Sequence, residues 1–333
     1  MTGVWCLPAA VKWVRMIRVL PAGIVACVLA GLSAAAQQPT FRSTADNVRV
    51  FTTVTDRDGR LVTTLEQKDF EIRDEGKPQP ITLFDNSPQP IRLIVLLDVS
   101  GSMEGNLQLL REGCEELFRR LRADDGVRVG TFGHDVSISP AFTRDPGALR
   151  ASLPRAIAPD APTPLWRAVN EGLEVFKSRS EDDGRPVILV LSDGKDSGPT
   201  GFRQKFVSQV EVIERAREQG VMIYAIGMRS RGQRQQMPGL GTRGLQAALM
   251  ADWPDPGLAR VAEETGGGYL EIRFGQDLGG AFAQVADELH SQYLLGFAPP
   301  KRDGKVHDIE VRTAVKGFKP RARKGYVAPK ERG

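Results

Sequence analysis

Six of the seven positions over residues 91–97 are aliphatic, and the run ends on the alternating polar residues Asp98, Ser100 and Ser102. A near-continuous apolar run of that length predicts a strand buried on both faces, as in a parallel sheet covered by helices. Apolar residues then take helical spacing at Leu107, Leu110, Cys114, Leu117, Phe118 and Leu121, which predicts a helix over 103–122. Strands are expected over 127–132, 136–139, 187–191, 221–226 and 269–272. Helices are expected around Leu165, Val169, Leu173 and Phe176, around Phe202, Phe206, Val210 and Ile213, over 258–264, and around Leu278, Phe282, Val285 and Leu289. Strand and helix in alternation make residues 91–291 an α/β, Rossmann-like doubly wound domain with a mainly parallel sheet.

The flanks carry a different period. Val48, Val50, Thr52 and Val54 alternate, Asp56-Arg57-Asp58-Gly59 punctuates, and 61–64 resumes, which reads as a hairpin. Asp56 and Asp58 begin like a calcium loop, but the later acidic ligands at EF-hand spacing are missing. Phe70 and Ile72, a turn at 74–78, and Ile81 and Leu83 predict further strands, and Ile309, Val311, Thr313 and Val315 alternate near the end. Residues 37–90 and 292–333 are therefore β segments. Neither alone could bury its edges and its apolar face, so the expectation is a small β-sandwich formed by both, with 91–291 inserted. Within the insert, 229–256 is rich in Gly, Gln, Arg and Pro. Its Gly239, Gly241 and Gly244 match G-x-G-x-x-G, but no strand leads in and no helix follows, so it reads as an insertion of open role.

Residues 1–36 stand apart. Lys12, Arg15 and Arg18 precede an apolar run that closes on Ala34-Ala35-Ala36, the layout of a secretory signal peptide cleaved before Gln37. Retention as an anchor and acylation at Cys27, in the lipobox-like Ile24-Val25-Ala26-Cys27, stay open. Cleavage would leave no membrane span and place the protein in the periplasm, in the envelope or outside the cell. It would also lower the formal charge from +4 to about +1, which removes the electrostatic basis for nucleic-acid binding. Of three cysteines only Cys114 would remain, at an apolar helix position that marks it as core. The 41% hydrophobic and 26% charged residues describe an ordinary globular chain.

The candidate chemistry lies where an open α/β sheet binds ligands, beyond the carboxyl ends of its strands. Asp98, Ser100 and Ser102 follow the first central strand, Asp193 follows 187–191, and Thr163 precedes Pro164. All five offer oxygen and only two carry charge, which suits a hard divalent cation, with Mg²⁺ the default and Mn²⁺ or Ca²⁺ alternatives. An ion that is about neutralised stays electrophilic, and an acidic ligand could complete its coordination. Each residue also has a structural reading. Ser100 and Ser102 could satisfy amides at a helix start, Asp98 could cap a turn, and Thr163-Pro164 could be an N-cap with proline at the first helical position.

Residues 91–291 resemble a von Willebrand factor A domain. Asp98-Val99-Ser100-Gly101-Ser102, Thr163 and Asp193 match the three segments of its metal-ion-dependent adhesion site without substitution. The resemblance implies that the serines and the threonine hold the ion directly or nearly so, and that the aspartates act directly or through water. With its leader and flanking β segments, the chain looks like exported bacterial proteins related to this family. The implied function is an exported binding or adhesion module, not an enzyme, that captures a protein partner presenting an acidic residue. Two other functions are open. One is a structural envelope role in which Arg312, Lys316, Lys319, Arg321, Arg323 and Lys324 touch anionic polymers. The other is metal-dependent hydrolysis using Ser100, His134 and Asp135, although no nucleophile elbow surrounds Ser100.

Overall fold

The computed structural model describes residues 47–177, 184–198, 206–229, 254–273 and 277–330. The leader, Cys27 and the G-x-G-x-x-G match lie outside the described residues.

The aliphatic run forms β5 (Ile91–Asp98), one of the inner strands of a six-stranded sheet. Its side chains alternate between two cores. Leu93, Val95 and Leu97 face α1 (Leu107–Arg119) and α6 (Leu278–Leu289). Ile94 and Leu96 face α3 (Leu165–Phe176), α4 (Gln209–Gln219) and α5 (Pro256–Thr265). Each of these five residues is fully buried, and each contributes roughly 1.5–3 kcal/mol of transfer free energy. A strand covered on both faces has no polar side, hence the unbroken apolar run.

Parallel pairing joins β5 to β6 (Gly126–Phe132) on one side and to β8 (Arg185–Ser192) on the other. Beyond β8 lie β9 (Met222–Met228) and β10 (Tyr269–Ile272), both parallel, while β7 (Val136–Ile138) pairs antiparallel with β6. The chain leaves β5 toward β6 and later returns to β8 on the opposite side, so the strand order switches at the carboxyl ends of β5 and β8. The sheet is mixed and mostly parallel, as expected.

The flanking segments build two four-stranded sheets. One has the order β13 (Lys319–Arg321), β1 (Val48–Thr55), β11 (Tyr293–Phe297), β4 (Leu83–Asp85). The other has the order β14 (Gly325–Val327), β12 (Val306–Thr313), β2 (Phe70–Asp74), β3 (Lys77–Gln79). Val48, Val50, Phe70, Ile72, Tyr293, Leu295, Phe297 and Tyr326 share one core drawn from both sheets. Gln292 fastens this part to the α/β part. Its Nε2 donates to Thr53 Oγ1 at 2.7 Å and to Tyr224 Oη at 3.2 Å, and its Oε1 accepts from buried Arg185.

Several local expectations need correction. The expected helix does not start at 103: a 3-10 turn (Gly101–Met103) ends there, and Gly105 at φ 84 interrupts the chain before α1 starts at Leu107. The second strand of the expected hairpin reduces to one bridge, Thr55 to Leu61. There the Tyr293 hydroxyl takes over, accepting from Leu65 N and donating to Val62 O, each at 2.9 Å. A short α2 (Pro146–Ala151), capped by Asp145 on Ala148 N, fills part of what read as loop. Phe206 and Val210 are exposed because α4 begins at Gln209 and buries Val212, Ile213 and Ala216 instead.

Candidate metal centre

Asp98 is the last residue of β5, and Asp193 follows the last residue of β8. The switch in strand order therefore puts both carboxylates at one end of the sheet. Both are buried, at 0% and 1% exposure. Asp98 Oδ1 accepts from Ser100 N at 2.9 Å and its Oδ2 from Ser192 Oγ at 2.6 Å. Ser100 Oγ lies 3.1 Å from Ser102 Oγ, and Ser102 Oγ donates to Asp193 Oδ1 at 2.6 Å. The carboxylates, with both serines of the first segment between them, thus form one hydrogen-bonded array.

Thr163 is brought in by its loop. Its carbonyl accepts from Ser197 N at 3.0 Å, and Trp166 N reaches Asp196 Oδ1 at 3.3 Å, which ties the segment before α3 to the one after β8. Gly194 lets that approach happen, since a Cβ there would lie 3.0 Å from Thr163 Oγ1. On the other side Ala158 N donates to Val99 O at 3.0 Å, and a Cβ on Gly101 would fall 1.9 Å from Pro159 O. Glycine at 101 is a steric requirement of this loop contact.

The helix-cap readings of the hydroxyls fail. Ser100 flanks the 3-10 turn with no side-chain cap bond, and α1 starts beyond both serines. The residue at the N-cap of α3 is Pro164, again without a side-chain cap, so the Thr163 hydroxyl is not spent on the helix. By contrast Ser208 and Asp255 do cap α4 and α5.

Electrostatics single out the aspartates. Burial raises the Asp98 carboxyl against the opposing bonds from Ser100 and Ser192. Burial raises Asp193 to about 6, with the Asp98 charge adding to it and the Ser102 bond opposing. No Lys or Arg forms an ion pair with either among the described residues. Asp193 Oδ2 is buried without a hydrogen-bond partner. Two desolvated carboxylates and an orphaned oxygen, amid hydroxyls, fit a bound divalent cation. Ser192 was not among the residues singled out in the sequence; as the last residue of a fully buried strand its only polar atom must be satisfied inward.

Among the described residues no hydrolytic arrangement is bonded together around Ser100. His134 is exposed, and no described bond joins it to Ser100. Of the basic C-terminal residues, Arg312 pairs with Glu310, Arg321 with Glu288 and Lys324 with Glu263, while Arg323 donates to Arg49 O at 2.8 Å.

Residues 93–255 match the family model of the von Willebrand factor type A domain. The match supports a Rossmann-like von Willebrand factor type A fold for the doubly wound part, and domains of this type are in general protein-interaction modules that often bind a divalent cation. Among solved structures the chain is similar to the conserved hypothetical protein BatB from Bacteroides thetaiotaomicron, at 18% identity over 60% of this chain and 98% of that one, with a TM-score of 0.43. It is also similar to a von Willebrand factor type A protein from Catenulispora acidiphila, at 12% identity over 79% and 74% of the two chains, with a TM-score of 0.46. No curated protein matches the chain. Among the described residues no helix is long and apolar enough to cross a membrane.

Proposed function

We propose that the chain is an exported binding module whose protein partner presents a carboxylate to a divalent cation, Mg²⁺ by default, held by Asp98, Ser100, Ser102, Thr163 and Asp193. The observation that carries this reading is the pair of buried aspartates, with no basic partner among the described residues and with Asp193 Oδ2 unsatisfied. A cation supplies charge balance and an electrophilic position for an acidic ligand. The protein's own contribution is orientation. Ser192 and the Ser100 amide fix both oxygens of Asp98, Ser102 fixes one oxygen of Asp193, and the Gly101 and Gly194 contacts hold the three loops together.

A cleft of about 590 Å³ begins three residues beyond Ser102, lined by Gly105, Leu107, Gln108, Arg111 and Arg155. Its two arginines favour an acidic surface on the partner. The test is affinity capture from a native envelope extract with Mg²⁺ and with chelator, beside the Asp98→Ala and Ser100→Ala proteins. Partners retained only by the Mg²⁺-loaded wild type support the mechanism. The same partners retained by both variants and in chelator would refute it.

A further inference from the structure

In the β-sandwich, His307 of β12 has a carboxylate at each ring nitrogen. Nδ1 lies 3.0 Å from Asp74 Oδ1, and Nε2 lies 3.2 Å from Asp303 Oδ1. Asp74 is the last residue of β2, whose register against β12 pairs Asp74 with Ile309 and so brings it beside His307. Glu75 opens the turn into β3 and is fastened to the same strand, its amide donating to Asp308 O at 3.0 Å and its Oε1 accepting from Asp308 N at 2.9 Å. One ligand atom each from Asp74, Glu75 and His307 lies within 4.8 Å of the others.

Charge and second contacts separate this cluster from an ordinary surface group of acids. Asp74 is 1% exposed and His307 4%. Three carboxylates converge on one imidazole, and among the described ion pairs Asp74 and Asp303 meet no Lys or Arg. The buried pair of Asp74 and His307 has the exposed carboxylates of Glu75 and Asp303 at its edge, so even a fully protonated ring would leave the group negative. A metal-ligating histidine turns one nitrogen to the ion and has its other N–H held by a carboxylate, while ligating carboxylates are themselves hydrogen-bonded. Both conditions are met. Asp303 faces Nε2, and the Tyr326 hydroxyl donates to Asp74 Oδ2 at 3.2 Å.

We propose that Asp74, Glu75 and His307 form a second divalent-cation site, with Asp303 positioning the imidazole and Tyr326 positioning Asp74. An imidazole with two carboxylates selects a Zn²⁺-class ion over Mg²⁺. The ion joins the turn between β2 and β3 to β12, and so clamps the N-terminal β segment to the C-terminal one. Exposed Glu75 leaves the site open to solvent for loading.

The experiment titrates the full chain carrying Asp98→Ala, which disables the first site, with Zn²⁺ by calorimetry and with Co²⁺ by visible absorption. The proposal expects one ion per chain, Co²⁺ d–d bands and a raised Tm. It expects at least ten-fold weaker binding in Glu75→Gln, whose exposed side chain makes misfolding no concern, and complete loss in His307→Gln. Absence of Zn²⁺ binding in the Asp98→Ala chain would overturn the proposal, as would equal binding in both further variants.

Discussion

Ser102 donates its hydroxyl to Asp193 Oδ1 at 2.6 Å across 91 residues of sequence. The bond exists because β5 and β8 are parallel neighbours whose carboxyl ends meet. It also leaves Asp193 half satisfied, with Oδ2 buried and unpartnered. In the absence of a cation the site works against the fold.

Asp193→Asn should therefore stabilise the metal-free protein while abolishing its response to Mg²⁺. A carboxyl raised to about 6 by burial costs roughly 1–3 kcal/mol when forced to ionise at pH 7. Thermal unfolding in chelator should give a higher Tm for the variant. Adding Mg²⁺ should raise the Tm of the wild type alone.

The two glycines of the site should differ in severity. At Gly101 an added Cβ would meet the Pro159 carbonyl at 1.9 Å, backbone against backbone, whereas at Gly194 it would meet Thr163 Oγ1 at 3.0 Å. Gly101→Ala should displace the 158–161 loop and cost more than ten-fold in Mg²⁺ affinity, with far-UV circular dichroism unchanged. Gly194→Ala should cost less. Calorimetric titration of both variants checks the order.

The root of β5 gives the acid limb of stability. Asp125 accepts from Ile91 N at 3.1 Å and Arg122 N at 2.7 Å, and lies 2.8 Å from His290 Nε2. Burial opposes its charge, but the bonds from His290, Arg122 and Ile91 outweigh it and hold the carboxyl below its ordinary value. A lowered folded pKa means the contribution is complete above the unfolded value of about 3.9 and is lost as pH falls through the folded one. Asp125→Asn should lower stability at pH 7 by about 1–3 kcal/mol and weaken the loss between pH 4 and 3. Urea unfolding at the three pH values measures it.

Gln292 should be a structural keystone between the sandwich and the α/β part. Gln292→Leu leaves Thr53 Oγ1, Tyr224 Oη and one amino group of buried Arg185 without this partner. The expected loss is roughly 2–4 kcal/mol, read from the urea midpoint at constant slope.

The central strand and the layering were legible because a strand covered on both faces has to be apolar throughout, and 91–97 nearly is. The positions of Asp98 and Asp193 were legible for the same reason, since each marks where an apolar run stops. What pattern could not show was how hydroxyls are spent. Thr163-Pro164 has the composition of a helix cap, yet Pro164 occupies the cap and no side chain bonds there. Ser192 is invisible in the sequence because its role depends on the neighbouring strand that brings Asp98 Oδ2 to 2.6 Å. The start of α1 was misplaced because Gly105 takes a positive φ that apolar spacing does not register. The His307 cluster escaped because it pairs residues 233 positions apart through strand register.

The most direct test of the proposed cation site is Mn²⁺ binding followed by electron paramagnetic resonance, in the full chain carrying His307→Gln so that only the first site can respond. One Mn²⁺ per chain, lost in Asp98→Ala and in Asp193→Asn with the fold intact, is the predicted result. Equal Mn²⁺ binding with and without the two aspartates would contradict it.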